Sequence, residues 1–493
     1  MLLHSLLRGF DSSIKLDGVP DLPVGGICED SRQVRPADLF IARAGTRTDG
    51  KQYALDAAAK GAVAVLADQQ IDGLTVPQIA ISNPAAAISP LAELFHGSPS
   101  RALRVLAVTG TNGKTTTAYL VRHILKTAGR KCGMIGTVEI DDGHDIREAA
   151  MTTPAATDVS RLLAAMRDNG AEACSIEVSS HALHQNRVSG LHFAAAAFTN
   201  LTGDHRDYHK TVKNYVAAKA MLFDMLDPSA VACVNTGDPK SHRMIRNCRA
   251  KVVWWGFAPH ADYRAEEIFI DATGSHFVLV TPKGRARVDM GLIGEHNIAN
   301  ALTAASLVGE VYGIEPETIA RALADAAGAP GRLQPVRMGQ GFGVFVDYAH
   351  TDDGLKNVLN ALRPLTPGQL RVVFGCGGDR DNSKRPRMAK VAERLADVIY
   401  VTSDNPRTED PAGIIQQIMT GFRKRRKKPI VVEADRHQAI HRAITEAEPG
   451  DVVLLAGKGH ENYQIVGTEK HHFDDVEEAK QALCGSAGKG AAA

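Results

Sequence analysis

The stretch Arg104-Val-Leu-Ala-Val-Thr-Gly-Thr-Asn-Gly-Lys-Thr-Thr-Thr117 decides the fold of this chain. An apolar, β-branched run leads into a glycine-rich turn, and a lysine and several hydroxyl residues then open an amphipathic helix. This order predicts a strand, a phosphate-binding loop and a helix N-terminus.

The residue types of this loop suit a nucleotide phosphate. Gly110 and Gly113 allow backbone N–H groups to face an anion, Lys114 can reach the β- and γ-phosphates, and the Thr115 hydroxyl can bind Mg²⁺. The loop is therefore predicted to bind ATP. Its Gly-x-x-Gly-Lys-Thr spacing is two residues shorter than the commonest phosphate-loop pattern, which argues against an ordinary nucleoside triphosphatase. A glycine turn followed by a surface lysine is the alternative interpretation.

Length and composition are those of a globular protein with several domains. At 493 residues, the chain exceeds what one hydrophobic core serves, and about 150 residues per domain predicts about three domains. The 57 basic and 56 acidic residues nearly balance, so no global charge favours nucleic acid or a membrane surface. Seven scattered cysteines without a Cys-x-x-Cys pair suit reduced thiols, and no apolar run is long enough to span a membrane. We expect a cytoplasmic protein with no membrane span and no nucleic-acid partner.

One basic run requires a separate explanation. The segment Arg423-Lys-Arg-Arg-Lys-Lys428 is isolated, lacks interleaved aromatic residues and follows a predicted helix. A solvated helix end, where cations suit the helix dipole, is favoured over a nucleic-acid site.

The chain is predicted to be an α/β protein of three domains. Residues 1–97 form a small α/β domain, residues 98–334 a central domain with a sheet of the phosphate-loop ATPase type, and residues 335–493 a C-terminal domain with a Rossmann-like parallel sheet. In the last region three buried strands each run into a polar loop, and these loops contain Asp379-Arg380, Asp404-Asn405-Pro406-Arg407 and Gly457-Lys-Gly-His-Glu461. Parallel strands gather such loops at one edge of a sheet.

These loops carry both basic and acidic side chains. Arg380 and Arg407 suit carboxylates, whereas Asp404 and Glu461 can receive ammonium groups or orient the arginines. The simpler alternative is that Asn-Pro-Arg only makes a turn, since Asn-Pro is a common turn dipeptide.

Titratable residues also follow strands of the central region. Glu177 ends an apolar run and is expected to approach the phosphate loop, where its oxygens could bind Mg²⁺. His205 and His209 have a spacing that zinc sites use, but no cysteine or third histidine accompanies them at a familiar distance. Lys219 lies among apolar residues of a predicted helix, and periodicity alone favours a surface lysine with a buried stem.

The order of motifs along the chain is specific. It runs Thr-Gly-Thr-Asn-Gly-Lys-Thr-Thr, Glu-Val-Ser-Ser-His, Asn-Leu-Thr-x-Asp-His-x-Asp-Tyr-His, Gly-x-His-Asn-x-x-Asn, Pro-Gly-Arg and Asp347-Tyr-Ala-His350. Over essentially the whole chain these motifs resemble the Mur ligases, the ATP-dependent enzymes that add amino acids in peptidoglycan synthesis. Asp30-Ser31-Arg32, Ala37-Asp-Leu-Phe40 and Asp404-Asn-Pro-Arg407 are similar to the branch that joins meso-diaminopimelate to UDP-N-acetylmuramoyl-L-alanyl-D-glutamate.

The resemblance implies sites for ATP and Mg²⁺. The implied ATP-binding residues are Gly110, Thr111, Asn112, Gly113, Lys114, Thr115 and Thr116, together with Asn297, Arg332 and Asp347 from across a domain junction. Thr115, Glu177, His205 and Lys219 are implied around Mg²⁺. Lys219 matches a lysine that the family carbamylates, which makes it an anionic oxygen ligand and reverses the surface interpretation. Lys114, Lys219 and His205 are the implied catalytic residues.

The resemblance also implies two substrate sites. The UDP-substrate site is implied at Ser31, Gly45, Thr46, Arg47, Thr152, Thr153, Ser179, Gln185 and Arg187. The amino-acid site is implied at Arg380, Asp404, Asn405, Pro406, Arg407, Gly457 and Glu461. Two residues depart from the family pattern, since Met151 stands where asparagine is common and Asp352 where proline usually makes a loop rigid.

The implied reaction is amide formation through an acyl phosphate, carried out by a monomer and needed for cell-wall growth, cell shape and division. ATP would phosphorylate the D-glutamate γ-carboxylate, and an amine of diaminopimelate would then attack the acyl carbon. An L-lysine-adding ligase and a phosphate-loop nucleoside triphosphatase are the alternatives. Arg407 favours diaminopimelate over lysine, because diaminopimelate has an additional carboxylate.

Overall fold

The computed structural model describes residues 1–44, 49–202, 206–271, 273–423 and 428–490, and it divides into two compact units. The first unit consists of Met1–Ala265, Leu279–Ala286 and Asn300–Ala322. The second consists of Glu266–Val278, Arg287–Ala299 and Leu323–Ala493. The three domain boundaries expected from the sequence stay a prediction.

A small parallel sheet lies in the N-terminal part of the first unit. Its strands, in spatial order, are β1 (Gly26–Cys28), β2 (Asp38–Ile41), β3 (Ala64–Ala67) and β4 (Gln78–Ala80). The helices here are α1 (Leu3–Phe10), α2 (Ala54–Ala59), α3 (Pro84–Phe95) and α4 (Pro99–Ala102). Successive residues of a strand face opposite sides, so Leu39 and Phe40 of β2 belong to two different apolar cores.

A larger sheet follows in the central part of the chain. Its strands are β5 (Arg104–Thr109), β6 (Cys132–Ile135), β7 (Glu139–Asp141), β8 (Ile146–Glu148), β9 (Ala173–Glu177), β10 (Ala195–Phe198), β11 (Val231–Asn235), β12 (Lys251–Gly256), β13 (Tyr263–Ile270), β14 (Ser275–Thr281) and β15 (Gly284–Met290). Within the described residues their order is β15-β14-β13-β12-β11-β10-β5-β9-β6-β7-β8. Strands β9, β5 and β10 are parallel neighbours, so the loops after them meet at one edge.

Helices connect the central strands and surround an apolar core. They are α5 (Lys114–Thr127), α6 (Ala156–Asp168), α7 (Ser180–His184), α8 (Arg206–His209), α9 (Val212–Asp224), α10 (Ser241–Met244), α11 (Glu295–Tyr312) and α12 (Pro316–Ala324). The residues Ala118, Val121, Ile124 and Leu125 of α5 are all completely buried. They lie at positions i, i+3, i+6 and i+7 of the helix and therefore form one continuous apolar face.

The second unit contains a sheet with the order β16-β17-β21-β18-β19-β20 among its described strands. These strands are β16 (Gln334–Pro335), β17 (Gly343–Asp347), β18 (Leu370–Phe374), β19 (Val398–Val401), β20 (Ile430–Val432) and β21 (Val452–Ala456). Strands β22 (Tyr463–Val466) and β23 (Glu469–His472) form a separate hairpin. The helices are α13 (Asp352–Leu362), α14 (Lys384–Leu395), α15 (Pro411–Met419), α16 (Arg436–Thr445) and α17 (Asp475–Gly490).

Helices cover both faces of this sheet. Val372 and Phe374 of β18 pack into one apolar core, and the intervening Val373 packs into the other. The first core includes residues of α13, α14 and α15, and the second includes residues of α16 and α17. Packing on both faces explains why β18 is buried at every position, Arg371 included, rather than at alternate positions.

The predicted α/β class is confirmed, including the parallel pairing of β18 with β19 and with β21. The sequence did not predict the antiparallel pairs β6–β7, β7–β8 and β16–β17. No described helix is both long and apolar enough to cross a membrane.

The position of Asp352 differs from the expected loop. Asp352 is the first residue of α13, and the preceding Thr351 caps the helix by accepting a hydrogen bond from the Gly354 N–H at 3.1 Å. An acidic side chain at this position interacts favourably with the helix dipole, and Asp352 also pairs with Arg387 at 3.2 Å. A capped helix N-terminus therefore stands where the family pattern has proline.

Candidate functional site

The phosphate loop lies between β5 and α5, as the sequence predicts. Gly110 has φ +151° and Gly113 has φ +87°. A Cβ atom at Gly110 would overlap the Thr199 hydroxyl, and one at Gly113 would overlap the Asn300 side chain. Glycine is therefore required here for close approach as well as for conformation.

The segment after β10 holds this loop in shape. Asn200 accepts hydrogen bonds from the N–H groups of Thr111 (2.8 Å) and Asn112 (3.0 Å). The Thr199 hydroxyl donates to the Asn112 carbonyl at 2.7 Å, and the Thr111 hydroxyl lies 3.1 Å from the hydroxyl of Tyr215. A loop fixed from its flank can keep its remaining N–H groups oriented toward an anion.

Glu177 reaches the first turn of α5 from the end of β9. It is completely buried, and its Oε2 accepts a hydrogen bond from the Thr115 hydroxyl at 3.0 Å. Thr137 adds two more hydrogen bonds to this carboxylate, from its N–H at 2.7 Å and its hydroxyl at 3.0 Å. A carboxylate and a hydroxyl side by side are the oxygen ligands that Mg²⁺ takes in phosphate sites.

Two lysines approach the loop from different sides. The Lys114 ammonium donates to the carbonyls of Gly110 (3.0 Å) and Thr111 (2.9 Å). Lys219 is only 1% exposed, and its Nζ donates to the Gly110 carbonyl at 2.8 Å and lies 3.4 Å from the Thr109 hydroxyl. The periodicity interpretation of Lys219 as a surface lysine is therefore wrong, because α9 packs against the end of β5 and buries the whole side chain.

The zinc hypothesis concerned His205 and His209. His205 lies outside the described residues. His209 is 5% exposed, and its Nε2 is 3.0 Å from the Ser180 hydroxyl. His209 also packs against the rings of Tyr208 and Tyr215. The part of the chain that the structure describes brings no metal-binding cluster together at His209.

A cavity of about 1690 Å³ lies within the first unit. Of the predicted UDP-substrate residues, Ser31, Gln185 and Arg187 line it. Arg187 donates to the Gln185 side chain at 2.7 Å, and burial lowers the pKa of Arg187 from its ordinary value. Met151, which departs from the family pattern, also lines this cavity, with its sulfur 3.7 Å from the Arg187 guanidinium.

Three other residues of the predicted UDP-substrate site, Thr152, Thr153 and Ser179, lie near Glu177 instead of along the cavity. Thr153 is buried and donates to the Glu177 carbonyl at 2.8 Å, and its hydroxyl also accepts the Ser179 N–H at 3.1 Å. Thr152 accepts a hydrogen bond from the Thr137 hydroxyl at 3.1 Å. These three residues lie toward Glu177 and do not line the described cavity. The predicted residues Gly45, Thr46 and Arg47 lie outside the described residues.

The polar loops of the second unit meet beyond β18, β19 and β21. The Asn405 side chain donates to Glu461 at 2.8 Å and accepts from the Lys458 ammonium at 3.3 Å and the Ile465 N–H at 3.0 Å. Burial raises the pKa of Glu461 and lowers the pKa of Lys458. Burial therefore disfavours the charged form of both the carboxylate and the ammonium group. Shifted pKa values of this kind are common at substrate-binding sites.

Two arginines border this cluster at Gly377. A Cβ atom at Gly377 would lie 2.9 Å from Nη1 of Arg407 and 4.0 Å from Cγ of Arg380. Arg407 has φ +51°, uncommon for a residue with a side chain, and its guanidinium donates to the Gly378 carbonyl at 2.8 Å. Arg380 is exposed, and its guanidinium lies 3.5 Å from the Asp379 carbonyl.

Two further predicted residues, Pro406 and Gly457, lie in the same loops. Pro406 is buried directly before Arg407. Gly457 has φ +119°, and a Cβ atom there would lie 2.9 Å from the Asp404 carboxylate. The seven predicted amino-acid-site residues thus lie in loops at the same edge of the sheet.

Three residues predicted to contact the nucleotide lie in the second unit. Arg332 stacks on Tyr348, with its guanidinium carbon 4.5 Å from the ring centroid. Asp347 accepts the Leu333 N–H at 2.6 Å, and burial raises its pKa to about 6, although Arg332 opposes that shift. Asn297 is 4% exposed and donates to the Ile293 carbonyl at 2.9 Å.

Sequence reasoning missed Lys458, Arg436 and Asp475. Lys458 lies inside the quoted Gly-Lys-Gly-His-Glu stretch, and its place between two glycines and a glutamate was the available signal. Arg436 is buried and binds Asp475 at 2.8 and 2.6 Å, and it also donates to the Ala456 carbonyl at 3.1 Å. A pair 39 residues apart leaves no signal in sequence spacing.

Family models match three segments of the chain. They are described as Mur ligase family, catalytic domain (residues 23–96), Mur ligase middle domain (residues 108–308) and Mur ligase, glutamate ligase domain (residues 331–459). Together they cover most of the 493 residues.

Relatives match over nearly the full length. The UDP-N-acetylmuramoyl-L-alanyl-D-glutamate–2,6-diaminopimelate ligase of Syntrophomonas wolfei is 44% identical, covering 98% of this chain and 99% of that protein. The protein of the same name from Thermosynechococcus vestitus is 45% identical, covering 92% of each. A solved structure of a ligase with this name has a TM-score of 0.71 at 33% identity, covering 97% of this chain and 99% of that one. The chain therefore belongs to the Mur ligase family.

Proposed function

We propose that this chain is the ATP-dependent ligase that joins meso-2,6-diaminopimelate to the D-glutamate of UDP-N-acetylmuramoyl-L-alanyl-D-glutamate, in the synthesis of peptidoglycan precursors. The observation that carries the proposal is the 44% identity, over 98% of the chain, to a relative named for this acceptor and this amino acid. Two polar clusters supply the chemistry that such a reaction needs. One surrounds the phosphate loop in the first unit, and the other surrounds Asn405 and Glu461 in the second.

Amide formation from a carboxylate requires a leaving group. ATP supplies it by phosphorylating the γ-carboxylate of D-glutamate, and an amine of diaminopimelate then displaces phosphate from the acyl carbon. Lys114 and the loop N–H groups neutralise negative charge on the transferred phosphoryl group. The hydrogen bonds that Asn200 accepts and Thr199 donates support this role, because they keep the loop fixed before the nucleotide arrives.

The residues around the first turn of α5 fit a magnesium ion. Thr115 and Glu177 are adjacent oxygen donors, and the same carboxylate is oriented by Thr137. A bound Mg²⁺ would offset phosphate charge at this position. His205 stays a predicted contributor.

The carbamate on Lys219 is part of the proposal. The burial of this lysine beside the end of β5 supports it, because Nζ lies against the phosphate loop, where an anionic oxygen ligand for Mg²⁺ would be placed. Carbamylation would replace the present hydrogen bond from Nζ to the Gly110 carbonyl.

Each of the two other substrates is assigned to one group of residues. The cavity lined by Ser31, Gln185 and Arg187 is assigned to the UDP-substrate, with room for an elongated molecule. The cluster of Asp404, Asn405 and Glu461 is assigned to the ammonium end of diaminopimelate, and the two arginines at Gly377 to its carboxylates. The cytoplasmic location and the monomeric state stay predictions.

Omission of single substrates tests the proposal. Phosphate release should require ATP, the UDP-dipeptide and the amino acid together, and a product with the mass of the UDP-tripeptide should accumulate in step with phosphate. A nucleoside triphosphatase would instead release phosphate from ATP alone. Full turnover without the amino acid would therefore overturn the ligase assignment.

A further inference from the structure

Three side chains on α16 and α17, away from the phosphate loop and from the loops at Asn405 and Glu461, have the composition of a metal site. The cluster consists of His437 and His441, one turn apart on α16, and Glu478 on α17. One ligand atom from each residue can be chosen so that all three lie within 4.8 Å of one another. Two histidines at positions i and i+4 of a helix face the same side, which is the spacing that helical zinc sites use.

The contacts within the cluster are incomplete. Nδ1 of His437 lies 2.6 Å from Oε2 of Glu478, whereas Nε2 of His441 lies 3.6 Å from the same oxygen. Among the described residues, the buried Nε2 of His441 makes no hydrogen bond. A ring nitrogen that is shielded from water and lies just beyond hydrogen-bond distance of a carboxylate is in a position that a bridging metal ion would satisfy.

We propose that His437, His441 and Glu478 bind a zinc-class divalent ion that joins α16 to α17. Two imidazoles and a carboxylate are a known donor set for zinc, with water in the fourth position. Metal bonds of about 2.1 Å in a tetrahedral site place ligand atoms about 3.4 Å apart. The two separations from Glu478, 2.6 and 3.6 Å, bracket that value, and the separation between the two histidine nitrogens is at most 4.8 Å, so side-chain adjustment would bring all three atoms around one ion.

The place of the site in the fold suggests what the ion does. His437 directly follows Arg436, which already binds Asp475 of α17 and the carbonyls of Ala456 and Ser403 at the ends of β21 and β19. A metal ion would add a second connection between the same two helices. It would therefore stabilise the second unit, which contains the cluster of Asp404, Asn405 and Glu461, whatever reaction that cluster serves.

Zinc titration of the tag-free full chain, after removal of bound metal by a chelator, tests the site. The binding constant comes from competition with a chromophoric chelator, and the thermal unfolding midpoint is measured with and without ZnCl₂. We expect one binding event that His437→Ala and Glu478→Gln each weaken about tenfold or more, with loss of the zinc-dependent rise in the midpoint. Because Glu478→Gln keeps the side-chain size, it decides the result if a histidine variant fails to fold.

His472→Ala is the matched control. His472 pairs with Glu477 of α17 at 2.7 Å, so it shares the histidine–glutamate contact but has no second histidine one turn away on its own element. It should leave zinc binding and the midpoint shift unchanged. The proposal is overturned if His437→Ala and Glu478→Gln bind zinc like the unmodified chain, or if His472→Ala lowers zinc affinity as much as they do.

Discussion

The hydroxyl of Thr115 donates a hydrogen bond of 3.0 Å to the Glu177 carboxylate, although 62 residues separate them in the chain. The contact exists because β9 pairs directly with β5, in a register that places Glu177 opposite Val108, near the end of β5. The pairing of β9 with β5 therefore places the buried Glu177 carboxylate beside the start of α5, the helix that follows the phosphate loop.

This contact leads to the first prediction. Glu177→Gln keeps a hydrogen-bond acceptor for Thr115 but removes the charge that attracts Mg²⁺. The Mg²⁺ concentration for half-maximal activity should rise about 10- to 100-fold in a titration of phosphate release. Glu172→Gln is the control, because Glu172 is exposed at the other end of β9 and its carboxylate pairs with Arg130. An unchanged Mg²⁺ requirement in Glu177→Gln would contradict the assignment.

The second prediction concerns Lys219. Lys219→Ala should lower turnover about 100-fold or more, since it removes the group proposed to carry an anionic oxygen ligand. Short carboxylates added to the assay should partly restore activity. Exposed Lys213, on the same helix, is the control and should tolerate alanine. Labelling with ¹³C-bicarbonate should give one carbamate signal that Lys219→Ala lacks, and an active enzyme without that signal would exclude the carbamate.

The third prediction is a pH dependence of stability. Burial raises the pKa of Asp347 from an ordinary 3.8 to about 6, so the folded protein holds this proton more tightly than the unfolded chain does. The contribution to stability is fully present below about pH 4 and is lost as the pH rises through about 6; it amounts to about 3 kcal/mol.

Asp347→Asn isolates this effect from other titrating groups. The variant mimics the protonated carboxyl, so its free energy of unfolding should match that of the parent near pH 4 and exceed it near pH 7. Denaturant unfolding at both pH values measures the difference. A difference that stays constant between the two pH values would show that Asp347 does not titrate in this window.

The fourth prediction concerns Arg407. Arg407→Ala should raise the KM for diaminopimelate far more than the KM for ATP or the UDP-dipeptide. A substrate carboxylate would lose its partner, which costs about 2–5 kcal/mol for a buried pair. Arg394→Ala, an exposed arginine on α14, is the control. Equal increases for all three substrates would argue that Arg407 only maintains the fold.

Much of this architecture could be predicted from local sequence. The phosphate loop was recognisable because glycine spacing, a preceding apolar run and a following helix are all short-range features. The edge shared by the loops at Asp404 and Gly457 was also predictable, since the continuous apolar runs before them, Val398–Val401 and Val452–Ala456, imply a parallel sheet. Motif order predicted the family, which the comparisons confirm.

What the sequence could not predict depends on contacts between distant segments. Periodicity placed Lys219 at the surface, because the packing of α9 against the end of β5 is not encoded in the helix itself. Lys458 and Arg436 went unnoticed for the same reason, since each is buried by elements far away in the chain. The UDP-substrate residues separated into cavity-lining and Glu177-facing groups, a division that only the tertiary structure reveals.

The central claim is that this enzyme adds meso-diaminopimelate. Amino-acid-dependent phosphate release, measured with saturating ATP and UDP-dipeptide, should be strong with meso-diaminopimelate and weak with L-lysine, because lysine lacks the carboxylate that the arginines at Gly377 are proposed to bind. Equal kcat/KM values for the two amino acids, or a preference for lysine, would contradict the account.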